Sequence, residues 1–216
     1  VNGKVIGLTE NFLTFVRQQV FARDPNAHKA YGLETETMPL VPGLLNAAVE
    51  LGAGLIKLEQ PLSILTNSLE KKLDTEAADL DTGNRMRIEG LIRGIEQRAL
   101  QPIAAWREML NCLQNEPSAE FVDWFGVERF NALEFDIGYR RHWLDPTRPL
   151  AEAVYARAHG VLVTSATLRD NADGDEKAAW ASAEQLTGIK HFTSTITEAS
   201  HPSPFDYAKQ TRVLIV

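Results

Sequence analysis

Residues 44–73, LLNAAVELGAGLIKLEQPLSILTNSLEKKL, decide the fold class. Leu44, Ala48 and the leucines at 51, 55, 58, 62, 65, 69 and 73 recur at spacings that are mostly four and three. That is the heptad seam of one long helix, about 45 Å end to end at 1.5 Å per residue. Such an element projects beyond a compact core or lies in a long bundle. Pro61 is expected to kink it. A second seam runs through Ile88, Ile92, Ile95, Ala99, Ile103, Trp106, Leu110 and Leu113, with Pro102 as its interruption. The polar, acidic stretch 74–83, closed by Thr82-Gly83-Asn84, suits a turn joining two antiparallel helices that pack on each other.

Working outward, Phe12, Phe15, Val16 and Val20 share one helical face, which predicts a helix from Thr9, as its cap, to about Ala22. Asp24-Pro25-Asn26 stops it, and residues 26–42 read as a mobile loop with Pro39 and Pro42. Apolar residues at every second position around Phe121–Phe125 and again from Leu133 through Phe135, Ile137 and Tyr139 predict two paired strands. A short helix follows at Pro149–Ala158, a strand at Gly160–Thr164, a helix from about Asp175 to Leu186 and a last strand at Arg212–Val216. The chain is thus expected to be mixed and mainly α.

With 216 residues and 44% apolar content the chain folds as one large or two small domains. No stretch approaches the roughly 18–20 uncharged apolar residues that span a bilayer, and the amino terminus lacks a basic segment followed by an apolar core. This composition points to a cytoplasmic protein without a membrane partner. The single Cys112 excludes an internal disulfide and a cysteine-ligated iron–sulfur cluster within these residues, and reads as a small buried filler. Residue 1 is Val, which suggests a processed or excised chain.

A net charge of -7 argues against coating nucleic acid by charge alone. Its distribution says more. Residues 70–82 hold five acids and two bases, whereas 85–107 hold Arg85, Arg87, Arg93, Arg98 and Arg107 against Glu89 and Glu96. An arginine-rich helix can follow a phosphate backbone or simply be solvated. Tyr139-Arg140-Arg141-His142-Trp143 interleaves bases with rings, a mixture that stacks nucleobases and holds phosphates of a single strand. Strand alternation offers another account, with Tyr139 and Trp143 buried on one face and Arg140 and His142 outside.

The motif that carries function is Gly160-Val-Leu-Val-Thr-Ser-Ala-Thr-Leu-Arg-Asp170. An apolar β-branched run from Val161 to Val163 reads as a buried strand, and Thr164, Ser165, Ala166 and Thr167 follow at its carboxyl end, where open α/β sheets place their chemistry. Short hydroxyls there can hydrogen-bond a carboxylate or a water without filling the cleft. The stretch resembles motif III of superfamily 2 helicases, with the spelling closest to the DinG and XPD branch. His142-Trp143-Leu144-Asp145-Pro146 with Arg148-Pro149-Leu150-Ala151, and Ser203-Pro204-Phe205-Asp206-Tyr207, resemble segments of that branch in the same order.

The resemblance implies an ATP-dependent DNA helicase acting on single-stranded or forked DNA, with ATP and Mg as cofactors of the full-length protein. It implies residues 1–120 as a helical, antiparallel arch-type insertion, 121–144 as a strand pair returning to the motor, and 145–216 as an α/β portion of the first P-loop motor domain. In this reading Thr164, Ser165, Ala166 and Thr167 couple ATP turnover to movement, and Arg85, Arg93, Arg98, Arg140 and Arg141 are candidate DNA contacts.

The chain holds no G-x-x-x-x-G-K-[ST] loop and no Asp-Glu-Ala-His box, so no residue of it is assigned to bond making and the fragment alone is expected to be inactive. Those parts, and any iron–sulfur cluster of the family type, would be supplied by the remainder of the motor. Ser165 lacks the G-x-S-x-G elbow of a nucleophile. His28, His142, His159, His191 and His201 show no zinc-ligand spacing, so no metal site is expected. From another class, a helical scaffold without catalysis would use the heptad seams to dock a partner helix.

Overall fold

The structure is a computed structural model that describes residues 2–23, 31–115, 118–169, 175–193 and 195–212. It divides into two compact units, 1–144 and 145–216. The protein is mainly helical, with one small antiparallel sheet.

In the first unit, α1 spans Asn2–Arg23 and buries Val5, Phe12, Val16 and Val20. The helix therefore begins a full two turns before Thr9. Thr9 is no cap, because its Oγ1 donates back to the Val5 carbonyl at 3.0 Å within the helix. Val5 and Leu8 extend the apolar face, and α2 comes close to them at Gly54, where a Cβ would lie 2.7 Å from Leu8 Cδ1. The expected loop over 26–42 also needs correction. Residues 24–30 lie outside the described set, while Leu33–Glu36 form β1, with Leu33 fully buried.

The heptad stretch forms α2, Leu44–Thr75, which runs through Pro61 as a single helix. Its buried residues, Leu44, Ala47, Ala48, Leu51, Gly54 and Leu55, lie in the first three turns, and beyond them only Thr66 is buried. The turn ends at Asp81, whose carboxylate caps α3 (Thr82–Ile95) by accepting from Asn84 N–H at 2.9 Å. A π-turn over Glu96–Leu100 then joins α4, Gln101–Cys112. Its widened bond runs from Gln101 N–H to the Glu96 carbonyl just ahead of Pro102, whose ring would crowd a regular α-turn. Proline thus widens this helix without ending it. Ile103, Leu110 and Leu113 pack inward, but Trp106, expected in the second seam, is 56% exposed.

The sheet has the order β1-β2-β3, with β2 at Phe121–Phe130 and β3 at Leu133–Trp143, and both pairings antiparallel. The paired strands follow from the alternation in sequence. Phe125 and Val127 face the helices with Leu33, and Ile137 and Tyr139 pack beside them. Asn131 and Ala132 make the hairpin turn at φ 50° and 64°. Alanine is a poor residue there, since Cβ crowds the left-handed conformation. Ala132→Gly is expected to stabilise the unit by about 0.5–1 kcal/mol, read as a higher urea midpoint at constant m. An unchanged or lower midpoint would contradict this.

The second unit contains α5 (Thr147–Ala153), a 3-10 turn at Tyr155–Arg157, α6 (Glu176–Thr187), a 3-10 turn at Ile189–His191 and α7 (Tyr207–Gln210). The helix expected at 149–158 starts earlier and ends in the 3-10 turn, and that expected at 175–186 is α6. No strand forms here among the described residues. Val213–Val216 of the expected last strand lie outside them. No described helix is long and apolar enough to cross a membrane.

Candidate functional site

The motif strand is the main correction. Residues 161–165 are irregular, pair with no other described segment, and leave Leu162 88% and Val161 45% exposed. The reason is a matter of partners: a central strand exists only between neighbours, and the one described sheet lies in the other unit. Thr164, Ser165, Ala166 and Thr167 are all exposed. Ser165 Oγ accepts from Thr167 N–H at 3.2 Å and lies 3.3 Å from Thr167 Oγ1, a local turn that holds the hydroxyls together.

The arginines separate into two kinds. On α3 and the π-turn, Arg85, Arg93 and Arg98 are exposed and make no ion pair among the described residues, as does Arg87. They do not form one stripe, since Arg85 and Arg87 project roughly 200° apart at 100° per residue. Arg107 is instead paired with Glu59 of α2, binding the helices together.

Arg140 and Arg141 are committed inside the sheet. Arg141 donates two bonds to Asp123, at 2.7 Å from Nε and 2.6 Å from Nη2, and its Cζ stacks 4.5 Å from the centre of the Phe121 ring. Tyr139 Oη donates to the same carboxylate at 2.9 Å. The bond to Asp123 holds the Arg141 guanidinium above its ordinary range, while burial, then its own bond to Asp123, pushes the Tyr139 phenol up. Paired with its carboxylate and only 10% exposed, this guanidinium offers little to a phosphate, and Arg141 serves the fold. Cys112, expected as a buried filler, is only half-buried.

Arg140 lies on the opposite face, between Glu128 at 3.1 Å and Asp136 at 3.0 Å. It covers the paired Gly126 and Gly138. Trp124 is there too, its ring 4.9 Å from that of His142, and the Trp124 Nε1 and Arg140 Nε donors are buried without partners among the described residues. With Glu34 and Glu36 of β1 on the same parity, this face is acidic, which disfavours phosphate. Of the five arginines expected to meet DNA, Arg85, Arg93 and Arg98 alone remain free.

One polar cluster was not foreseen. In the second unit the Asp145 carboxylate receives Lys190 Nζ at 2.7 Å, His191 Nε2 at 3.1 Å and Thr147 Oγ1 at 2.5 Å. Lys190, then Thr147, hold this carboxyl well below the usual range. Gly188, at φ 78°, permits the contact, because a Cβ there would stand 2.9 Å from Thr147. The geometry is not that of a nucleophile relay. Thr147 Oγ1 lies 3.2 Å from the same His191 nitrogen that the acid approaches, whereas a relay needs hydroxyl and acid on opposite ring nitrogens. The cluster joins the 3-10 turn to the start of α5. Only its residues' separation in sequence, more than 40 positions, hid it.

Among the described residues no group of three metal-ligand side chains converges. Comparisons with protein-family models, with curated proteins and with solved structures gave no match.

Proposed function

We propose that the chain is part of an ATP-dependent DNA helicase of the DinG/XPD type, supplying a strand-clamping helical arch and the motif III coupling element. The observation that supports this reading is the run 161–167: an apolar strand sequence with a hydroxyl tip that pairs with no other described segment. Burying side chains such as Leu162 in a sheet supplied by the rest of a motor domain would gain about 1.5–3 kcal/mol each. The hydroxyls of Thr164, Ser165 and Thr167 would then face the acidic box of that domain and relay its state to the DNA track. These 216 residues hold no phosphate loop, so they do not fit ATP or Mg by themselves, and their part is mechanical coupling.

On this reading the chain alone binds single-stranded DNA weakly and hydrolyses no ATP. Anisotropy titration of a labelled single-stranded oligonucleotide over a salt series tests it. Arg93→Ala with Arg98→Ala is expected to weaken binding roughly tenfold and to reduce the log–log salt slope by about 1.4. ATP turnover by the isolated chain, or DNA binding indifferent to the double replacement, would contradict the assignment. The exposed outer face of α2 favours a second reading, a helical interaction domain, in which DNA binding is absent.

A further inference from the structure

α2 is apolar on two sides in its first half. One side enters the core, while Leu45, Val49 and Ile56 on the other are 38%, 47% and 39% exposed, with Ile64 at 66%. A helix that is apolar all round is normally covered all round. Positions 45, 49, 53, 56, 60 and 64 step by four, four, three, four and four, which keeps them on one side of the helix. Ala53 and Gly52 keep its middle low, and a Cβ at Gly52 would meet nothing within 4 Å.

We propose that this face packs against the same face of a second copy of the chain, antiparallel, about a two-fold axis between residues 54 and 55. The evidence is self-complementarity. That axis mates Leu45 with Ile64 of the other copy, Ala53 with Ile56, and Val49 with Gln60, over about 29 Å of helix. It also puts Glu50 beside Lys57 of the other copy, twice. Glu50 and Lys57 are one heptad apart on the same flank, and like flanks meet in antiparallel pairs. Both are exposed and make no ion pair among the described residues. A parallel arrangement would lose this pairing. The proposal goes beyond the helicase reading and does not depend on it, since the DNA titration reports on α3 and the π-turn.

Sedimentation velocity and light scattering on the full chain, over a concentration series, test it. The unchanged chain is expected to dimerise. Glu50→Lys and Lys57→Glu should each weaken the dimer about tenfold or more through two like-charge contacts, and the double exchange Glu50→Lys with Lys57→Glu should restore it. Ile56→Asp should give a monomer with an unchanged helical circular dichroism spectrum, which shows that the unit still folds. A chain that is monomeric at every concentration, because the face meets a different protein or the rest of a motor, overturns the proposal. So does a dimer that ignores the single exchanges or is not restored by the double one.

Discussion

Asp123→Ala is expected to destabilise the first unit by about 3–5 kcal/mol, because it leaves a buried guanidinium and a phenol without their shared acceptor. Asp123 and Arg141 side chains are only 12% and 10% exposed, so water does not replace the lost carboxylate well. The Phe121 ring cannot compensate, since a cation–π contact contributes about 0.5–2 kcal/mol. Removing both charges with residues of similar volume, Asp123→Leu with Arg141→Met, should recover much of the loss, as a packed apolar pair needs no counter-ion. Urea unfolding with the m value held constant measures both. A loss below about 1 kcal/mol for Asp123→Ala would show that solvent reaches the pair.

The second large effect is expected at Gln19, which is fully buried on α1. Its Nε2 donates to the Glu36 and Thr37 carbonyls at 3.0 and 2.6 Å, and its Oε1 accepts from Val41 N–H at 3.0 Å. One side chain thus serves three backbone groups, one at the end of β1 and two in the segment between β1 and α2. Gln19→Leu fits the volume but strands the Thr37 carbonyl and the Val41 amide, for a loss of about 2–5 kcal/mol. Glu36 is spared, because Arg23 Nη1 also donates to it at 2.9 Å. Faster hydrogen exchange at Val41, with a lower thermal midpoint, would be the signature. Protection of that amide as in the unchanged chain would rule the clamp out.

The contrast between Asp123 and Gln19 shows what sequence could reveal. The heptads of α2 and the alternation in β2 and β3 were legible because burial repeats with a helix or strand period. The same alternation that puts Phe125 and Tyr139 inward puts Asp123 and Arg141 inward with them. Parity could therefore have removed Arg141 from the DNA candidates. Gln19 gave no such sign, since its partners are backbone atoms of a segment with little periodicity. β1 was hidden for a similar reason: Leu33-Glu-Thr-Glu has a single buried apolar residue, and pairing with β2 alone makes it a strand. The motif run failed in the other direction. Its composition is that of a central strand, but composition supplies no neighbours, and the described residues of its unit offer none.

β1 and β2 are joined in space at Leu33 and Val127, yet the whole helical hairpin of α2 to α4 is threaded between them. Closing a loop of roughly 90 residues costs about 4 kcal/mol of chain entropy, recovered only when Phe125 and Val127 arrive. During synthesis at about 5–20 residues per second, β1 leaves the ribosome some 5–20 s before its partner. For that interval Leu33 is a sticky, unmatched edge and the helices must form first. Truncations that stop short of Phe121 are therefore expected to lack the strand that pairs with Leu33.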